Sequence, residues 1–310
     1  VSYIYIRNKS TQIQIMTKTL LCILGPTAVG KTATAINLAK ALGTEIISAD
    51  SRQFYQEISI GTAKPSQDEL AQVPHHFIGH LSITQPYSAG DFERDALAKL
   101  DELFQHHDVV IAVGGSGLYV KALIDGLDDM PLANEPLRDE LNALYAQQGI
   151  EPLQNQLKTL SPDLYHQTEI QNPQRVMRAI EVALALQNGF VPNKKKYERS
   201  FNTVKVVIDL PREVLYERIN MRVDLMMQQG LLDEAKSMLA HKNEYALQTV
   251  GYTELFDYLD GSHDLPKAVE LIKQHTRNYA KRQITWFKKE APTNWVQPAD
   301  WLSILNLLKA

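Results

Sequence analysis

A chain of 310 residues, 44% hydrophobic and 22% charged, can bury a large core and has the length of two units more readily than one. No apolar run approaches 18 residues, which excludes a helical membrane span, and a single cysteine, Cys22, excludes an internal disulfide and a zinc cluster. A net charge of −4 weighs against a uniformly basic nucleic-acid surface, although basic residues gather locally at 175–199 (Arg175, Arg178, Lys194 to Lys196, Arg199) and at 273–289.

The first residues, VSYIYIRNKSTQIQI, lack the charged start, apolar middle and cleavage site of a secretory signal. Residues 1–18 are expected to be a disordered extension, and the reducing setting that suits one cysteine points to the cytoplasm. Residues 20–24 then read as a buried strand and 33–42, ATAINLAKAL, as a helix. Between them stands GPTAVGKT: Gly25, Pro26, Thr27, Ala28, Val29, Gly30, Lys31, Thr32. This fits G-x-x-x-x-G-K-[ST] in the strand, loop and helix order that a phosphate-binding loop needs. Loop N–H groups and the helix N-terminus attract an anion, Lys31 adds a full charge, and Thr32 offers a hydroxyl to Mg2+.

Next, TEIISAD (44–50) is a short β-branched run that ends in Asp50, where ligands of a parallel sheet collect. A helix over 91–105 leads to a third strand at 109–113, followed by Gly114, Gly115 and Gly117, which permit close backbone approach. A fourth strand is expected at 204–210. The intervening 131–199 is polar, helix-forming and punctuated by prolines, so it reads as a helical insertion on a core made of 19–130 and 200–310. From 212 onward the chain is nearly all helix. Adjacent His75 and His76 do not share a helix face and have no further ligand cluster beside them, so they read as structural or substrate-lining.

Seven blocks carry a resemblance: GPTAVGKT, ADSRQFY (49–55), GTAKP (61–65), VGGSGLY (113–119), NPQRVMRAIEV (172–182), VGYTEL (250–255) and YAKRQITWF (279–287). In this order they resemble the tRNA dimethylallyltransferases, also called tRNA isopentenyltransferases, over about 19–289. The resemblance implies an α/β fold: a P-loop NTPase-like parallel sheet flanked by helices, with an insertion that grips tRNA. It implies Mg2+, and transfer of a dimethylallyl group from dimethylallyl diphosphate to N6 of the adenosine immediately 3′ of the anticodon. The family usually has Thr where Ser116 stands; both hydroxyls can make the same hydrogen bond. The chain lacks cysteines for the zinc finger of many eukaryotic members, so the bacterial type is expected.

The same resemblance assigns roles. Lys31, Thr27 and the loop N–H groups would receive charge on the leaving diphosphate, with Thr32 near the metal and Asp50 accepting the amine proton. Arg218 and Arg222, four apart on one helix face, would clamp the diphosphate unless they form a solvated face with Glu217 or Asp224. Asp50, Ser51, Arg52 and Gln53 would read the extruded adenine, while Ser116 would hold the nearby backbone or amine of the bound tRNA. Arg138, Gln174, Arg175, Val176, Met177 and Arg178 would contact the anticodon stem-loop. The late helix pairs Lys281, Arg282, Lys288 and Lys289 with Tyr279, Trp286 and Phe287, a composition that suits either a nucleic-acid groove or a core face. A monomer without membrane contact is expected. An ATP-dependent small-molecule kinase stays open as the alternative, with Asp209 as a substitute acidic residue for magnesium. A GTPase-type switch lacks N-K-x-D, and passive RNA binding leaves the loop unexplained.

Overall fold

The computed structural model describes residues 18–131, 133–192, 198–290 and 293–308. The extension at 1–17 and the basic run at 194–196 lie outside them. The chain divides into two units, Val1–Asp125 with Glu198–Ala310, and Gly126–Tyr197. The insertion therefore begins at Gly126 rather than at 131, and ends at Tyr197 rather than at 199.

The first unit is built on six parallel strands in the order β3-β2-β4-β1-β5-β6. They are β1 (Thr19–Leu24), β2 (Ile46–Ser48), β3 (His75–His76), β4 (Val109–Gly114), β5 (Asn202–Ile208) and β6 (Asn294–Val296). β1 and β4 are buried along their whole length, as runs such as TLLCIL and VVIAVG require when helices cover both sheet faces. The sequence predicts four of these strands; β3 and β6 are too short to leave an alternating pattern. Within β1, burial pushes the Cys22 thiol up to about 12.

The helices of this unit are α1 (Lys31–Leu42), α2 (Gln67–Leu70), α3 (Ala89–Leu103) and α4 (Gly117–Asp125). The insertion supplies α5 (Glu135–Gln148), α6 (Glu151–Leu160), α7 (Pro162–Gln167) and α8 (Pro173–Gln187). The first unit resumes with α9 (Arg212–Gln228), α10 (Leu231–Ser237), α11 (Tyr252–Leu259), α12 (Leu265–Lys289) and α13 (Trp301–Leu307). α3 starts two residues before its expected position because Ser88 and Asp91 form a capping box there. One core lies between the sheet and α1, α9 and α13, through Leu21, Ile23, Ile36, Leu38, Ile219 and Ile304. A second joins α9, α10, α11 and α12 through Val223, Leu231, Leu255 and Ile272.

The second unit has its own core of Leu141, Leu153, Leu157, Val176, Met177 and Ile180. Asn134, Ser161 and Asn172 cap α5, α7 and α8, each followed by proline within the first turn, which ends one helix and starts the next. Among the described residues of the chain, no helix is long and apolar enough to cross a membrane.

Candidate active site

At the end of β1 the chain turns through Gly25 (φ 144°), Ala28 (φ 64°) and Gly30 (φ 105°) before entering α1. A side chain on Gly25 would come within 2.6 Å of the Ile208 carbonyl, so the close packing of loop against β5 requires glycine there. Ala28 takes a left-handed conformation that a non-glycine residue adopts at a cost, and such turns make successive N–H groups converge. α1 has no side-chain cap and no acidic residue in its first turn, which leaves its N–H groups free for an anion. Lys31 folds back over the loop, donating from Nζ to the Pro26 carbonyl at 2.8 Å. Burial pushes its ammonium down to about 8; Asp50 opposes that shift and Arg222 adds to it. The loop is thus a cationic cradle short of negative charge.

Asp50 stands at the C-terminal end of β2, and Ala49 N–H bonds the Val113 carbonyl at 2.7 Å. Gly114 allows this approach, since a Cβ there would fall on the Ala49 carbonyl. One Asp50 oxygen, Oδ1, accepts the Arg52 N–H at 3.1 Å. The turn partner is Arg52, and Oδ2 has no hydrogen-bond partner among the described residues. Ser51 is held instead by Ser116, whose Oγ accepts the Ser51 N–H at 3.1 Å and lies 3.2 Å from Ser51 Oγ. The Tyr279 phenol, which lines the same cavity, is pushed up to about 12 by burial first and by Asp50 second, with Ser116 opposing.

The two arginines of α9 separate. Arg222 donates from Nη1 to Thr27 Oγ1 at 3.2 Å and lines the cavity beside the loop. Burial pushes its pKa down, with Asp50 and Glu69 opposing. Arg218, one turn earlier, reaches the Val29 carbonyl at 3.4 Å and is not among the residues that line this cavity. Arg218 thus contacts the loop backbone, and Arg222 the cavity itself. A solvated pairing with Asp224 is also absent, because Asp224 bonds Lys273 at 2.8 Å.

Thr27, Lys31, Thr32, Asp50, Ser116 and Arg222 all line one cavity of about 1540 Å³. Pockets for a single small ligand run to roughly 1,000 Å³, so this one has room for a phosphorylated molecule and a second reactant.

Other expected base-reading groups are already engaged. Gln53 donates from Nε2 to the carbonyls of Thr62 (3.3 Å) and Ala63 (3.1 Å), and its Oε1 accepts from Ser48 Oγ at 3.3 Å. It pins the 61–65 loop rather than presenting a free amide edge. Arg52 donates to the carbonyls of Tyr245 (2.7 Å) and Gln248 (3.3 Å) and stacks over the Tyr245 ring.

In the second unit, Val176 and Met177 are buried in the helical core, so their side chains offer nothing to a partner; α8 directs a stripe inward, and of the run 174–178 Gln174 and Arg175 are exposed. Arg175 pairs with Glu169. Arg138 and Arg178 converge on Glu181, at 2.7 and 2.9 Å, with the Asn134 N–H completing the set at 3.1 Å. Burial pushes the Glu181 carboxyl up, but Arg138, Arg178 and the Asn134 amide outweigh it and hold the group low.

Along α12, Phe287 is core while Lys281, Arg282, Lys288 and Lys289 are exposed. His76 pairs with Glu45 at 2.6 Å and His75 bonds the Val73 carbonyl, in keeping with structural roles.

Three supports escaped sequence reasoning. Glu234 accepts the N–H groups of Ser59, Ile60 and Gly61, each at 2.9 Å, and the Tyr252 hydroxyl, which fixes the loop lining one side of the cavity. Glu181 organises the insertion. Gln283 reaches from α12 to the phosphate loop, accepting the Thr27 N–H at 2.9 Å. No sequence period marks such groups; Gln283 stood inside a recognised block, and that was its one signal.

Comparison with known proteins gives a consistent result. The family model described as IPP transferase matches residues 53–290. The tRNA dimethylallyltransferase of Flavobacterium johnsoniae is 49% identical over 286 residues, covering 90% of this chain and 93% of the relative. That of Christiangramia forsetii is 48% identical over 284 residues, covering 91% and 94%. Among solved structures, the full-length tRNA isopentenylpyrophosphate transferase of Bacillus halodurans superposes with a TM-score of 0.70 at 36% identity, covering 94% of this chain and 96% of that one.

Proposed function

Taking as premise that the chain belongs to the IPP transferase family, the tRNA dimethylallyltransferases, we propose how its cavity performs prenyl transfer to tRNA. The enzyme is a prenyltransferase that moves a dimethylallyl group to N6 of the adenosine beside the anticodon. In our reading the donor is dimethylallyl diphosphate and the diphosphate departs. The kinase reading falls with the family.

Adenine N6 is a weak nucleophile because its lone pair is shared with the ring, so the barrier is lowered chiefly at the leaving group. As the donor C–O bond breaks, electrons flow to the bridging oxygen. Lys31, the α1 N-terminus and Thr27 meet that charge. Because Arg222 donates to Thr27 Oγ1, the threonine proton is left to point at a substrate oxygen. Asp50, with one oxygen tied to its turn and the other without a partner among the described residues, takes the proton that N6 loses. The base must leave its stack to arrive here, which costs little in a single-stranded loop.

The donor set suits magnesium. Thr32 supplies a hard hydroxyl oxygen beside the phosphate site, and among the described residues no cluster of three His, Cys, Asp or Glu could hold a metal without help from substrate. Bound Mg2+ would neutralise diphosphate charge, with Thr32 as its protein contact. The exposed Gln174 and Arg175, and the rims of Arg138 and Arg178, are our candidates for anticodon stem-loop contact.

The observation that carries the reading is the placing of Lys31, Thr27 and Arg222 on one cavity with Asp50. The test supplies unmodified tRNA with labelled dimethylallyl diphosphate or labelled ATP. Transfer of the prenyl label to adenosine is expected, and transfer from ATP would refute it.

A further inference from the structure

Gln283 is 6% exposed, and its amide faces two backbone groups that belong to different parts of the cavity wall. Oε1 accepts the Thr27 N–H at 2.9 Å, while Nε2 donates to the Gly115 carbonyl at 3.0 Å. Turning the amide over would set NH2 against N–H and oxygen against oxygen, so the two partners admit one orientation. On one side Thr27 belongs to the phosphate loop, and its hydroxyl is aimed by Arg222. On the other side Gly115 precedes Ser116, whose Oγ holds the Ser51 N–H next to Asp50. A single side chain therefore braces the loop that would hold the leaving group against the shelf that carries the proton acceptor.

We propose that Gln283 is a positioning residue for prenyl transfer, setting the spacing between Thr27 and the Ser116–Ser51–Asp50 shelf. It does not bind phosphate itself: it engages the Thr27 N–H, so that amide is withdrawn from the anion-binding set and serves only to fix the threonine. Gly115 has the matching shape. A Cβ at Gly115 would fall on the Gln283 amide and lie 3.2 Å from the Gly25 carbonyl; Gly115 is not among the positive-φ glycines, so alanine suits its backbone and acts chiefly through the displaced amide. The proposal rests on the functional reading above, and its test separates the two.

The experiment measures steady-state prenyl transfer to an unmodified tRNA by wild type, Gln283→Ala, Gly115→Ala and the double variant. Thermal melting and filter binding of tRNA without donor are measured alongside. Misplacing reacting groups by a fraction of a bond length can cost about 10²-fold. Each single variant should lose roughly 10- to 100-fold in kcat while tRNA affinity stays within about twofold of wild type. Because both break the same brace, the double variant should lose no more than the worse single one. Losses that multiply, a kcat within twofold of wild type in Gln283→Ala, or kcat losses matched by equal losses of tRNA affinity would overturn the proposal. Should one variant not fold, the other carries the same prediction. A wild-type enzyme that fails to prenylate tRNA overturns the functional reading, and this proposal with it.

Discussion

Arg222 Nη1 lies 3.2 Å from Thr27 Oγ1 across 195 residues of sequence, whereas Arg218, one helical turn before it, meets only a loop carbonyl. The two arginines should therefore differ in function. Arg222→Ala removes a charge and the group that aims Thr27, and should lower kcat by about 10²- to 10³-fold. Arg218→Ala should stay within about fivefold. Single-turnover rates with saturating donor distinguish them.

Lys31 gives a pH dependence with a defined sign. Its pKa in the folded protein is lowered to about 8 from 10.5, so between those values the unfolded chain binds more protons than the folded one. Stability should rise with pH across that window, and a Lys31→Met variant, measured by denaturant midpoints, should lack the rise. In the free enzyme kcat/KM should fall as pH climbs through about 8, because the loop loses its charge. With diphosphate present the ammonium is favoured, so the limb in kcat should lie at higher pH.

Much of the cavity wall is legible in the sequence, because a phosphate loop requires its own backbone geometry and therefore its own glycines and lysine within eight residues. Asp50 was placed by the rule that parallel sheets bind ligands at strand ends. What was not legible arises from long-range hydrogen bonds. Gln53 has the right chemistry to read a base, yet its amide is satisfied by the Thr62 and Ala63 carbonyls, and nothing in DSRQFY announces that. Val176 and Met177 lay in a recognised block, but helical periodicity turns them inward beside two surface residues.

Glu234 holds three N–H groups of the 59–61 turn. Glu234→Ala leaves those donors and the Tyr252 hydroxyl without their acceptor, and should destabilise the protein by about 2–4 kcal/mol. Chemical denaturation measures this, and kcat/KM should fall with it because the 61–64 stretch lines the cavity.

In the insertion, the buried Glu181 carboxylate joins Arg138 and Arg178. Its lowered pKa means that its stabilisation is present above about 4.5 and is lost as pH falls through the folded value. Glu181→Gln should destabilise the 126–197 unit, which hydrogen exchange of α5 and α8 amides would report, and remove most of this acid sensitivity. A variant with unchanged exchange and unchanged acid response would show that the two arginines need no anchor.

The most direct test of the central claim is the identity of the phosphate product when the purified enzyme is given unmodified tRNA and dimethylallyl diphosphate. The account predicts one pyrophosphate released for each adenosine that gains a five-carbon group on N6. Release of orthophosphate, or a requirement for ATP with formation of ADP, would contradict it.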